Sequence, residues 1–127
     1  MLLLDTCTFI WLASDPSRLS AEAVTALDSE IDICLSDTSV WEICLKWQAK
    51  KIELPSPPRI WVSEQAKAWH LRRLPIEQEH LFRSVELSDL HKDPFDRILI
   101  AQARAEGLLL LTVDKAVAKY GDGVREV

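Results

Sequence analysis

The chain has 127 residues, a length suited to one domain with a real core, and 48% hydrophobic with 28% charged residues fits a folded globular protein. Its formal net charge of −5 argues against a passive nucleic-acid coat, because phosphate affinity alone needs a basic surface, yet it leaves room for an enzyme with a local basic rim. No apolar run is long enough to cross a bilayer, and Leu2 to Leu4 is too short for a secretory h-region, so a cytoplasmic protein with no membrane role is expected.

In chain order, residues 1–4 form an apolar run that ends at Asp5 and reads as a strand. Residues 20–29 carry Ala23, Val24 and Leu27 at helical spacing, and residues 31–36 form a second strand rich in β-branched and cysteine residues. Residues 39–50 place Val40, Ile43, Cys44 and Trp47 on one helical face, and a plain loop follows at 54–58. Pro57 and Pro58 lead into a helix over 58–71, and a weaker helix covers 77–85. The clearest helix spans 93–106, with Asp93 as N-cap, Pro94 in the first turn, a stripe of Ile98, Ala101 and Ala105, and Gly107 as terminator. Residues 108–112 are the most hydrophobic strand, followed by a short helix over 115–119 and a last edge strand over 124–127. No repeat, low-complexity tract or linker interrupts the pattern, so residues 1–127 read as a single domain.

Strands alternating with helices imply an α/β fold, an open parallel sheet covered on both faces. Helices in such a sheet run antiparallel to the strands. Strand C-termini and helix N-termini therefore share one edge, where ligand sites lie. Asp5 ends the first strand, Glu42 and Asp96 fall in the first turns of helices, and Asp114 follows the 108–112 strand. All four acids are expected on that edge.

Each acid also has an ordinary explanation. Ser39 and Glu42 have the spacing of a capping box, and Glu42 can pair with Lys46 one turn on. Asp96 suits a helix dipole, Asp114 an N-cap and Asp5 a turn. The combination is harder to explain away. Four like charges at one edge repel one another unless cations intervene or some take protons. An all-oxygen donor set selects Mg²⁺ or Mn²⁺, ions suited to phosphodiester hydrolysis.

The order Asp5-Thr6, the Ser39 to Trp41-Glu42 region, Asp93-Pro94-Phe95-Asp96-Arg97 and Thr112-Val113-Asp114 resembles the PIN-domain ribonucleases, and among them the VapC-type toxins of bacterial toxin–antitoxin pairs. The similarity spans nearly the whole chain and includes Leu35-Ser36 and Ile100-Ala101-Gln102-Ala103. It implies a three-layer α/β/α fold with Asp5 on a central strand, and Mg²⁺- or Mn²⁺-dependent endonucleolytic cleavage of RNA. It assigns metal binding and catalysis to Asp5, Glu42, Asp96 and Asp114. Thr112 would orient Asp114 or a water, and Thr6 would act similarly beside Asp5. It further implies a small antitoxin protein as partner and a homodimer. One departure stands out, in that Cys7 occupies a place where relatives often carry His.

Other residues invite roles of their own. Five tryptophans could stack on bases, but protein–protein contact is the favoured reading. Lys46, Lys50, Lys51 and Arg97 are candidate phosphate contacts, with solvated charge as the common alternative. His91 lies in the loop before the 93–106 helix, while His70 and His80 have no assigned role. Cys7, Cys34 and Cys44 form no C-x-x-C pair and read as reduced core thiols.

Three rival functions remain at this level. An aspartyl-nucleophile phosphotransferase of the haloacid-dehalogenase type needs a second acid where this chain has Cys7. A receiver-like switch needs adjacent acids after the first strand and an Asp after the third. An inactive PIN scaffold would not need the intact acidic quartet.

Overall fold

Leu2, Leu3 and Leu4 form β1 (Leu2–Leu4), the middle strand of a five-stranded sheet in a computed structural model that describes residues 1–127. The elements that follow are α1 (Thr6–Ser14), a 3-10 turn (Pro16–Arg18), α2 (Ala21–Ser29), β2 (Ile33–Ser36), α3 (Asp37–Gln48), α4 (Pro58–Ala68) and β3 (Arg72–Leu74). They continue with α5 (Gln78–Glu86), α6 (Pro94–Glu106), β4 (Leu109–Thr112), α7 (Lys115–Ala118) and β5 (Val124–Glu126). Every strand pair is parallel, in the order β3-β2-β1-β4-β5. The order reverses between β1 and β4, and at such a switch point the connecting helices diverge and leave a crevice at the strand C-termini.

Strand alternation divides the interior into two cores. Leu2, Leu4, Ile33, Leu35 and Leu111 pack with Phe9, Leu12, Ala26, Ile43 and Trp61 from α1 to α4. Leu3, Cys34, Leu74 and Leu110 pack instead with Leu99, Ile100, Ala103, Val117 and Tyr120 from α6, α7 and the turn after it. The expected sheet, buried on both faces and layered between helices, is the observed one.

The 93–106 helix is as expected: Asp93 accepts from the Phe95 and Asp96 amides, and Gly107 ends the helix at φ 66°. Two elements escaped the sequence pattern. Helix α1 contains Thr6, Thr8 and Ile10 among aromatic residues, a mixture without marked helix propensity, and is started by the Asp5 cap. Strand β3 is three residues long with Arg72 and Arg73 exposed, and ion pairs to Asp32 and Asp37 hold it beside β2.

Helix α3 begins earlier than expected. Ser36, not Ser39, is the N-cap, accepting from the Thr38 amide at 2.9 Å. Ser39 lies inside the helix and Glu42 in its second turn, so the expected Ser39–Glu42 capping box does not form. The Ser39 hydroxyl faces Thr6 of α1 instead, at 3.0 Å.

Candidate active site

Asp5 follows the last residue of β1 and caps α1, with Oδ1 accepting the Thr8 amide at 2.7 Å. Its other oxygen accepts the Thr112 hydroxyl at 2.6 Å, across the β1–β4 pair. The side chain is buried, and burial pushes its carboxyl above the usual range. The bonds from Thr112 and Thr8 oppose that rise, and the negative charge of Glu42 adds to it.

Glu42 comes from α3 and is equally buried. Its Oε1 accepts the Thr6 hydroxyl at 2.6 Å, and its Oε2 lies 2.9 Å from Lys46 Nζ. Thr6 has one hydroxyl proton, which the shorter contact takes, leaving the Ser39 hydroxyl to donate to Thr6. Thr6 thus positions Glu42 rather than Asp5, a correction to the expected role.

Asp96 sits in the first turn of α6, its Oδ2 2.8 Å from His91 Nε2. Burial lifts its carboxyl to about 6; the His91 bond pulls downward, and the charges of Asp93 and Glu42 push further up. The Lys46 ammonium meets the same field. Burial lowers its pKa, but Glu42 and then the charges of Asp93 and Asp96 outweigh that and leave it raised. Lys46 is therefore a cation drawn into an acidic cluster, not a free phosphate contact.

Asp114 caps α7, accepting the Ala116 amide at 2.8 Å, and its carboxylate is exposed. Its own amide donates to Thr112 Oγ1 at 3.0 Å, so one hydroxyl ties the Asp114 turn to Asp5. No hydrogen bond or ion pair joins the Asp114 carboxylate to the other acids.

His91, Asp93 and Asp96 place three ligand atoms within 4.8 Å of one another, which adds His91 and Asp93 to the residues named from sequence. The Asp-Pro-Phe-Asp spacing carried that information, because residues three apart share a helix face. A second group within 4.8 Å, Glu77, His80 and Glu106, is unsuited to metal. His80 Nδ1 accepts the Glu77 amide at 3.0 Å, which places the ring proton on Nε2, the nitrogen facing Glu106. That proton blocks ligation.

The structure also removes Arg97 from the phosphate contacts. Its Nε, Nη1 and Nη2 are engaged by the carbonyls of Ser84, Ser88, His91 and Leu87 and by the Tyr120 hydroxyl, at 3.0 to 3.1 Å. Arg97 holds the α5–α6 connection in place. The tryptophans divide as well: Trp61 is core, edge-on to Phe9, whereas Trp41, Trp47 and Trp69 are exposed. Cys7 is half-buried, with its thiol pushed up by burial and by Asp5, and all three cysteines are unpaired.

Sequence reasoning passed over Gln102. It is fully buried, and its Oε1 accepts the Ser36 and Thr38 hydroxyls where β2 turns into α3. Its amide nitrogen donates to the Pro75 carbonyl and His80 Nδ1, each at 3.3 Å. This network fixes the start of the helix that carries Glu42.

The chain is similar to known proteins along nearly its whole length. The chain is 28% identical over 119 residues to Ribonuclease VapC22 of Mycobacterium tuberculosis, covering 93% of this chain and 90% of that protein. A toxin–antitoxin complex from Klebsiella pneumoniae matches all of both chains with a TM-score of 0.68 at 23% identity. VapBC2 from Rickettsia felis, bound to a DNA fragment from its promoter, matches 99% of this chain and 98% of that one with a TM-score of 0.73 at 14% identity. FitAcB from Neisseria gonorrhoeae matches 96% and 94% with a TM-score of 0.65 at 22% identity. The PIN domain family model matches residues 2–123, and the chain belongs to the PIN-domain family.

Proposed function

We propose that this chain is a divalent-metal-dependent endoribonuclease and the toxin half of a toxin–antitoxin pair, acting on RNA in the cytoplasm. The observation that carries the reading is the crowding of Asp5, Glu42, Asp93 and Asp96: burial raises the carboxyls of Asp5 and Asp96, and the neighbouring charges, Asp93 and Glu42 on Asp96 and Glu42 on Asp5, add to the rise. Lys46 offsets only part of that charge. The donor set is all oxygen apart from His91, which suits Mg²⁺ or Mn²⁺.

Asp5, Glu42, Asp96 and Asp114 would hold the ions, with Asp93 at the margin. Ions held there supply a more acidic water and neutralise charge on the phosphoryl oxygens. The protein's own share is orientation. Thr112 fixes Asp5, Thr6 fixes Glu42 and His91 fixes Asp96, each by a bond of 2.8 Å or less. The rival readings lack their residues: Cys7 stands two places after Asp5, and β3 ends in Leu74 followed by Pro75 rather than an acid.

An antitoxin would cover exposed apolar surface, for which the groove between α3 and α4, lined by Val40, Cys44, Trp47, Pro57, Pro58 and Val62, is suited. A homodimer would use the exposed Leu81, Phe82 and Val85 of α5. The deciding experiment is cleavage of RNA by wild type and Asp5→Asn, in chelator and after restoring Mg²⁺ or Mn²⁺. Cleavage by wild type with metal alone is expected. Cleavage undiminished in chelator, or by Asp5→Asn, overturns the reading.

A further inference from the structure

Arg18 ends the 3-10 turn after α1, and its guanidinium carbon lies over the Trp11 ring, 4.3 Å from the centroid. No ion pair or hydrogen bond engages its guanidinium. Asp15, three residues earlier, accepts the Ser17 hydroxyl at 2.5 Å instead. Arg72, Arg73 and Arg83 are by contrast paired with carboxylates, and Arg97 and Arg104 with carbonyls, while Arg59 and Arg125 are unpaired but have no aromatic ring beneath them.

The location ties this pair to the acidic edge. Cys7 and Trp11 are one turn apart on the same half-buried stripe of α1, the helix that Asp5 caps. Trp11 starts about 9 Å along the axis from Asp5.

A polyanion approaching a cluster of carboxylates needs cations beside it. Lys46 is committed to Glu42 and Arg97 to carbonyls, and Lys50 and Lys51 lie past the end of α3, two turns beyond Glu42. A guanidinium stacked on an aromatic ring uses its face and keeps its in-plane N–H fork free. That fork matches two phosphate oxygens, and the ring restrains it before the ligand arrives. We infer that Arg18, laid on Trp11, is a phosphate-binding residue that holds the RNA backbone to one side of the Asp5–Glu42 edge, away from the scissile bond. The inference rests on the ribonuclease reading.

The test uses the full chain carrying Asp5→Asn, which is to bind without cutting, and a fluorescein-labelled single-stranded RNA oligonucleotide. Anisotropy is followed over a series of KCl concentrations with Mg²⁺ present. Adding Arg18→Gln should weaken binding and reduce the slope of log K against log salt by about 0.7, one phosphate contact on a single strand. Arg18→Lys should keep the slope, and Trp11→Leu should weaken binding while keeping it. In the active enzyme, Arg18→Gln should raise KM and spare kcat. Unchanged affinity and slope for a folded Arg18→Gln overturn the inference alone. Failure of the Asp5→Asn parent to bind RNA at all overturns it together with the ribonuclease reading.

Discussion

The Thr112 hydroxyl donates to Asp5 Oδ2 at 2.6 Å while accepting the Asp114 amide at 3.0 Å, so one side chain on β4 serves the acids of two strands. Thr112 is fully buried. Thr112→Val leaves both partners short of a bond and should cost about 1–3 kcal/mol, the usual penalty for an unsatisfied buried group. The Asp5 carboxyl should rise further, and Mn²⁺ affinity should fall. Thr112→Ser should recover most of both. Chemical denaturation in chelator and Mn²⁺ calorimetry measure the two effects; a Val variant that matches wild type in both would show that the bond is dispensable.

The raised Asp96 carboxyl makes a pH-dependent prediction. Its value of about 6 stands above an unfolded reference of 3.8. A raised acid contributes stability below the unfolded value, and that contribution is lost as pH climbs through the folded one. In chelator, Asp96→Asn should therefore melt above wild type at neutral pH and lose that advantage near pH 4. The full gap corresponds to at most about 3 kcal/mol. Solvent screening and the lost His91 charge contact should bring the observed gain to roughly 1 kcal/mol. Thermal melts at both pH values decide it. Destabilisation by Asp96→Asn at neutral pH would mean that the residue is only a helix-start feature.

Lys46 competes with any ion for Glu42 Oε2, 2.9 Å away. Lys46→Gln should lower metal-free stability by about 1 kcal/mol, since the lysine is partly solvated. It should also tighten Mn²⁺ binding several-fold. Calorimetric titration of both proteins checks this, and weaker binding by the variant would show that Lys46 supports the site instead of competing for it.

Arg97 separates structure from substrate contact. Arg97→Gln frees carbonyls on both sides of the α5–α6 connection and should cost roughly 2 kcal/mol or more. Arg97→Lys should recover little, because an ammonium cannot span the same fork of acceptors. Melting temperature and RNA affinity are the readouts. Unchanged stability with weakened RNA binding would return Arg97 to the substrate.

The parallel sheet was readable because β1, β2 and β4 are continuous apolar runs between helix caps and turns. The ends of β1 and β4 and the start of α6 were readable as well, which put Asp5, Asp114 and Asp96 at element boundaries, whereas Glu42 lies a turn further into α3 than its spacing suggested. Partners across the sheet edge were not readable. Thr6 lies 36 residues from Glu42, and Thr112 lies 107 from Asp5, separations at which no local periodicity operates. The same holds for Gln102, whose polarity within an apolar helix face made sense only with Ser36 and Thr38 opposite it. Arg97 resembled a free cation because backbone carbonyls, its actual partners, leave no trace in a sequence.

The partition of β1 between two cores has a consequence for the site itself. Leu2 and Leu4 belong to one interior and Leu3 to the other, so the parity of a three-residue strand determines which side each leucine enters. Deleting a single leucine shifts the pairing by one step and exchanges the faces of everything behind it. Asp5 would then draw back from Thr112, and the helix it caps would start from a displaced position. The length of β1 thus sets where Asp5 stands, a constraint counted in whole residues, and these leucines should accept apolar replacement more readily than any change in their number.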